Sequence, residues 1–164
     1  MSAKIISLPL VSAISIDVLG NGTYQQLSEH NRAPISVTMD RIENAVRMAN
    51  GSMRKFFVAE KRNVSVSWNM LPSFSNLTVD GKYGAMDIKD FYSSAVGKGS
   101  FKVKLYYGKN QTSPYAARNE GGTDAFLTMM FTSCSFELVK RNVKNSSSDP
   151  AQEFWNVSLS LTEV

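Results

Sequence analysis

Strict period-two alternation in three separate stretches constrains this chain more than any other feature. Val64, Val66, Trp68 and Met70 alternate with Ser65, Ser67 and Asn69. Phe101, Val103, Leu105 and Tyr107 alternate with Lys102, Lys104 and Tyr106, and Trp155, Val157, Leu159 and Leu161 with Asn156, Ser158, Ser160 and Thr162. Successive side chains of a strand point to opposite faces, so each stretch reads as a strand with one apolar and one polar face. A fourth opens after Pro34, where Ile35, Val37 and Met39 alternate with Ser36, Thr38 and Asp40. The run Lys55-Phe56-Phe57-Val58-Ala59 is denser in apolar residues. Glu60-Lys61-Arg62-Asn63 then forms a polar connection of hairpin length, so residues 53–71 are expected to form an organising hairpin of two strands.

The remaining segments fit around these strands. Ile14, Ile16 and Val18 make residues 1–22 an N-terminal strand or arm, ended by Gly20-Asn21-Gly22. Residues 41–49 permit either helical turns or an irregular strand, and Asn50-Gly51 is a strong turn signal. Pro72 stops a strand because it cannot donate to the ladder. Asp87 is expected as the N-cap of a helix whose Ile88, Phe91, Tyr92 and Ala95 fall at i, i+3, i+4 and i+7, closed by Gly97 and Gly99. Residues 125–139 are apolar in both phases, with Phe126, Met130, Cys134, Phe136 and Leu138 against Leu127, Met129, Phe131 and Val139. This predicts a central strand covered on both faces and bulged near Ser133. The expected core comprises Phe57, Val64, Val66, Trp68, Phe91, Phe101, Val103, Leu105, Phe126, Phe136, Trp155, Val157 and Leu159.

The 164 residues suit one mainly β domain, an antiparallel sandwich or barrel with one packed helix, long enough to bury a core without staples. Hydrophobic residues make up 43% and charged residues 20%, ordinary values for a globular chain, and the net charge is a mild +4. The cations are interspersed with acids rather than concentrated, which argues against a dedicated nucleic-acid module. The one cysteine, Cys134, rules out an intrachain disulfide and reads as a buried small hydrophobe. No run reaches the length of a membrane-spanning helix, so no membrane insertion is expected.

Catalytic signatures are lacking. His30, the single histidine, lies in a polar segment beside Glu29. There is no G-x-S-x-G elbow, Walker loop or H-E-x-x-H, and helix-start roles account for Asp87 and Asp90. The expectation is a non-enzyme without cofactor or metal. Residues 108–124, rich in polar residues and carrying Pro114 and Gly121-Gly122, are too long for an ordinary connection in a compact domain and read as a contact arm. Lys109, Asn110, Gln111, Tyr115, Arg118, Asn119 and Glu120 are its candidate subunit contacts. A competing reading, a nucleic-acid-binding β-barrel, would use Lys102, Lys104, Tyr106, Tyr107 and Trp68 as a basic and aromatic platform.

The segment RIENAVRMANGSMRKFFVAEKRNVSVSWNMLPS, continued by VDGKYGAMDIKDFY, resembles tail and virion structural proteins of tailed bacteriophages over residues 34–92. The pieces that carry the likeness are residues 48–55, Ala59-Glu60-Lys61, Ser65-Val66-Ser67-Trp68, and the loop and helix over 81–92. The resemblance implies a tail tube subunit: a β-sandwich or barrel flanked by one helix, forming stacked rings that enclose a channel for DNA. The implied partners are further copies of the chain, other phage tail proteins, and DNA passing through the lumen without sequence-specific binding. The implied location is the virion, after synthesis in the host bacterial cytoplasm. A baseplate or head-to-tail connector protein is the alternative. Tubes that pass DNA often have an acidic lumen, and the net positive charge of this chain departs from that pattern.

Overall fold

The structure is a computed structural model that describes residues 12–109, 117–119, 126–141 and 153–164. In chain order the elements are β1 (Ile14–Asp17), β2 (Tyr24–Gln26), β3 (Ser36–Arg47), β4 (Met53–Pro72), α1 (Ala85–Ser93), β5 (Phe101–Lys109), β6 (Ala117–Asn119), β7 (Leu127–Arg141) and β8 (Glu153–Glu163). Seven strands follow the path β2-β1-β5-β7-β8-β4-β3 and β6 hangs on β5, every pairing being antiparallel. The mainly β architecture with one helix is therefore the expected one, curled into a half-barrel.

After β2 the chain crosses to β4, where the Ala33 amide donates to the Ser67 carbonyl at 2.8 Å and the Asn69 amide to the Asn31 carbonyl at 3.2 Å. Trp68 sits behind this seam, fully buried, with its indole Nε1 donating to the Ser28 carbonyl at 2.7 Å. Asp80 ties the same segment from the other side, accepting from Ser28 Oγ at 3.0 Å and from the Glu29 amide at 2.9 Å. Partial burial pushes the Asp80 carboxyl up, but hydrogen bonds from Glu29, Ser28 and Lys82, with the Lys82 charge, outweigh it and hold the group below the usual carboxylate range.

The core lies between the curled strands and α1. Ile14 and Ile16 of β1, Val64, Val66 and Trp68 of β4, Phe101, Val103 and Leu105 of β5 and Val157, Leu159 and Leu161 of β8 are all buried, which confirms the inward phase read from the alternation. Ile88 and Phe91 bury the helix against this sheet, and the Phe91 ring meets Phe101 edge-on with centroids 5.0 Å apart. Phe136 and Trp155 pack at the margin of the cluster.

The helix begins earlier than the sequence suggests. Gly84 is the N-cap and Asp87 stands at N3, where its Oδ2 accepts from the Gly84 amide at 3.0 Å and the Ser75 amide at 2.8 Å. Gly84 is required by space, since a Cβ there would lie 2.5 Å from the Pro72 carbonyl oxygen. Gly97 is tighter still, with a Cβ position 2.0 Å from the Phe91 carbonyl oxygen. Gly97→Ala is therefore expected to lower stability by about 1–3 kcal/mol in urea unfolding, because backbone has to move to admit the methyl. Ala95, expected on the apolar stripe, lies beyond the helix and is exposed.

The expected hairpin over residues 53–71 is not formed. Those residues belong to one unbroken strand, β4, of 20 residues. The turn lies instead at Asn50-Gly51, where Gly51 takes φ +81° and the Met48 amide donates to the Ser52 carbonyl at 2.7 Å. Glu60-Lys61-Arg62-Asn63 contains no glycine or proline to reverse the chain, and its charges are used across strands. Arg41 bonds Glu60 at 3.0 Å, Lys61 stands opposite Asp40, and Arg62 bonds Glu163 at 3.2 Å.

Candidate assembly surface

The β3–β4 hairpin is longer than the body that supports it. β4 pairs with β8 from Asn63 to Pro72, whereas β3 pairs with β4 along its whole length, from Ser36 opposite Ser65 to Arg47 opposite Met53. Residues 53–62 therefore have β3 as their only strand partner among the described residues. At ~3.3 Å per residue this ribbon reaches roughly 30 Å past the sheet. It is apolar on both faces: Phe56, Phe57 and Val58 are 58, 61 and 71% exposed, and Met39, Ile42, Val46 and Met53 are exposed beside them. Phe57, expected in the core, thus lies on this projecting ribbon. A register shift between Ile42 and Glu43 leaves Val58 as the extra residue of a bulge in β4.

Two sheet edges flank the path β7-β8-β4-β3. Beyond Met129 the pairing of β7 with β5 ends, so residues 130–141 have β8 on one side and no strand on the other among the described residues. The outer edge of β3, 12 residues long, is likewise unpaired among them. This corrects the expectation that β7 is covered on both faces: its Phe131, Cys134 and Phe136 lean on the core, whereas Met130, Leu138 and Val139 are exposed. The bulge near Ser133 is present, as a register shift between Phe131 and Ser133. Phe126, also expected in the core, is 45% exposed just before β7 and carries the Lys102 ammonium 4.5 Å from its ring centre.

The face of these four strands opposite the core is lined with hydroxyls and amides. Ser36, Ser65, Ser160 and Ser133 pair in succession across β3, β4, β8 and β7, and Ser67, Ser158 and Ser135 make the next rung. On the other side of the first rung stand Thr38, Asn63 and Thr162, with Thr132 Oγ1 2.7 Å from Thr162 Oγ1. Asp40 and Lys61 lie beyond Thr38 and Asn63, Glu137 lies beyond Ser135, and the exposed Met130 pairs with Thr162.

Of the platform considered for nucleic acid, Trp68 is not available at the surface. Trp68 is fully buried, Lys102 lies over Phe126, and Lys104 lies 4.5 Å from the Tyr24 ring centre. Of the candidate subunit contacts, Lys109 ends β5 while Arg118 and Asn119 belong to β6, which pairs with β5 through Tyr106, Tyr107 and Lys109. Asn110, Gln111, Tyr115 and Glu120 lie outside the described residues, as do most of the stretch 108–124 and half of the arm 1–22. The sequence reading missed the ribbon. Its signal was present in the balanced lengths either side of Asn50-Gly51 and in the lack of any chain-reversing residue between Ser52 and Pro72.

Nothing in this surface is arranged as catalytic machinery. No group of three or more His, Cys, Asp or Glu side chains placed to hold a metal occurs among the described residues. The groove beside the helix, about 440 Å³, is lined by Tyr92, Ser93, Gly97, Lys98 and Phe131. Cys134 faces the core side, and burial pushes its thiol up to about 11. It is therefore protonated at pH 8, and alkylation in the folded chain is expected to be at least tenfold slower than after unfolding in urea. No helix among the described residues is long and apolar enough to cross a membrane.

The described residues thus form a curled antiparallel sheet with two edges unpaired among them, a projecting ribbon with exposed apolar side chains and one helix packed behind. A solved structure with this fold is a chain from the tail of an empty GTA (gene transfer agent) particle, computed with helical refinement in C6 symmetry. The TM-score is 0.52 at 9% identity, over 93% of this chain and 90% of that one. The chain thus shares the fold of a phage-like tail protein, in line with the resemblance read from residues 34–92. No protein-family model matches the chain, and no curated protein matches it.

Proposed function

We propose that the chain is a non-enzymatic structural subunit of the tail tube of a bacteriophage or phage-like particle, self-assembling into stacked rings around a channel that delivers DNA. One observation carries the reading: β3, which runs on from the sheet into the ribbon, and β7 bound the four-stranded sheet on opposite sides, and their outer edges lack partners among the described residues. Such edges are an aggregation hazard in a monomer. Joining the β3 edge of one copy to the β7 edge of the next satisfies both. Repetition of that heterologous contact closes a ring when the rotation per copy divides the circle. The neighbour with the same fold is described in C6 symmetry, which supports a six-membered ring.

The ribbon supplies the second contact. Its exposed Phe56, Phe57 and Val58 project past the ring plane and are suited to burial on the adjacent ring, stacking rings into a tube. Residues 108–124 and 1–22 add to these contacts. The implied partners are other copies of the chain, other tail proteins at the tube ends, and DNA in transit. The location is the virion, following synthesis in the host cytoplasm. No membrane insertion or cofactor is involved.

Negative-stain electron microscopy of the purified protein over a concentration series tests this. Hollow tubes of uniform width are the expected result. Isolated rings at every concentration would favour a baseplate or connector role, and a monomer throughout, even with preformed tube ends added, would overturn the proposal.

A further inference from the structure

We infer that Asn50, at the tip of the β3–β4 ribbon, is a self-modifying residue: in the free subunit its side chain cyclises onto the Gly51 amide and reopens as aspartate or isoaspartate. The reaction needs only water. The Gly51 nitrogen, once deprotonated by hydroxide, attacks Asn50 Cγ, the Cγ–Nδ2 bond breaks, and ammonia leaves as a succinimide ring closes. Water then adds to either ring carbonyl and opens it. Asparagine and water become a carboxylic acid and ammonia, with no change of oxidation state. The tip is built for the attack. Asn50 and Gly51 are exposed, and a Cβ on Gly51 would meet nothing within 4 Å, so neither packing nor a side chain shields the nitrogen. Asn50 Oδ1 accepts from the Ser52 amide at 3.0 Å and from Ser52 Oγ at 2.6 Å. These bonds fold the side chain over the Gly51 peptide, polarise Cγ and meet the negative charge that grows on the oxygen during attack. Arg47 and Arg54 flank the turn and add positive charge near the anionic intermediate.

A second Asn-Gly pair in the same chain shows what holds such a site still. Asn21 Oδ1 likewise accepts from the amide two residues on, that of Thr23, at 3.0 Å, and Gly22 likewise takes a positive φ, +86°. There, however, the nitrogen that would attack is bound to a carboxylate. The Gly22 amide donates to Asp17 Oδ2 at 2.9 Å and the Asn21 amide to Asp17 Oδ1 at 3.1 Å, and Asp17 is buried. A charge-assisted bond is harder to release than a neutral one, and a neighbouring carboxylate opposes the anion that attack requires. The Gly51 amide is held by a neutral acceptor, the Met48 carbonyl at 2.9 Å, at the end of a ribbon that has no further strand beside it among the described residues. Such an end frays at little cost, which frees the nitrogen. Isoaspartate carries the chain through its side-chain carbon, so it adds a backbone atom and a negative charge and displaces the turn. One consequence rests on the tube reading: the tip lies against the next ring, so assembly shields Asn50, and aged free subunits enter tubes poorly.

The test is peptide mapping by mass spectrometry of the purified full chain, kept dilute at 37 °C and pH 8 in water enriched in heavy oxygen, so that only carboxylates formed during the incubation carry the label. The Asn50 peptide should gain labelled aspartate and isoaspartate roughly tenfold faster than the Asn21 peptide. Equal rates at the two sites, or conversion of Asn50 only after unfolding in urea, would overturn the inference. Unfolding should instead bring the two rates together, because it removes Asp17 from the Gly22 amide. The tube-dependent consequence is read separately. In tubes assembled from fresh chain, conversion at Asn50 should slow several-fold, and when an aged preparation is assembled and pelleted, isoaspartate should be enriched in the supernatant. Equal conversion in tubes and free subunits, or equal isoaspartate in pellet and supernatant, would overturn that consequence. Failure of fresh chain to form tubes would strike the tube reading itself, and the comparison of Asn50 with Asn21 in the free subunit would still decide the inference.

Discussion

Trp68→Ala is expected to cost about 3–5 kcal/mol, the usual range for emptying a buried aromatic site, and so to leave the domain marginal or unfolded at 37 °C. Trp68 is fully buried in β4, directly behind the place where the chain returning from β2 meets that strand. The indole does two things there. Its rings fill the space between the seam and the core, and its Nε1 holds the Ser28 carbonyl at 2.7 Å. Trp68→Phe separates them: most of the volume remains while the buried carbonyl loses its donor, at a cost of about 1–3 kcal/mol. Urea unfolding of the two variants at pH 7 measures both. A loss below 1 kcal/mol for Trp68→Ala would mean that the seam is not part of the cooperative unit. Because Asp80 lies below the usual carboxylate range in the folded chain, its contribution is present above the unfolded carboxylate pKa. That contribution is lost as pH falls through the folded one, so the seam also weakens in acid.

The faces of the sheet could be read from the sequence because alternation encodes them directly. Val64, Val66, Trp68, Phe101, Val103, Leu105, Val157 and Leu159 are buried, as their phase requires. Strand ends were less readable. Glu60-Lys61-Arg62-Asn63 resembles a turn in composition, yet its charges serve Arg41, Asp40 and Glu163 across neighbouring strands, and that pairing is invisible without the register. Apolar density misled for a related reason. Phe56 and Phe57 look like core residues, and they are exposed because, among the described residues, β8 pairs β4 only from Asn63 to Pro72 and β3 is the one strand beside them. In β7 two apolar phases suggested cover on both faces, whereas the bulge between Phe131 and Ser133 moves the inward position from one phase to the other, so that Phe131, Cys134 and Phe136 lean on the core and Met130, Leu138 and Val139 are exposed. The serine rungs were written as the polar half of each alternation. Their alignment across four strands depends on registers and bulges that no single stretch contains.

Phe56→Asp combined with Phe57→Asp is expected to abolish tube formation while leaving the folded subunit nearly as stable as wild type. Both rings project from the part of β4 that has β3 as its only strand partner among the described residues, so little core packing is lost and the unfolding midpoint should move by less than about 1 kcal/mol. Assembly is affected differently. If the stacking contact buries each ring, it gains about 1.5–3 kcal/mol per side chain, and aspartates there add the cost of burying unpaired charge. The concentration needed for tubes should then rise at least 100-fold, beyond reach in ordinary preparations. Ring formation through the β3 and β7 edges does not use these rings of Phe56 and Phe57, so single rings should persist in the microscope. That outcome separates the two contacts: rings without tubes assigns stacking to the ribbon, unchanged tubes removes the ribbon from assembly, and loss of both would show that ring closure needs it as well. Sedimentation velocity alongside urea unfolding of the same variant distinguishes all three from a folding defect.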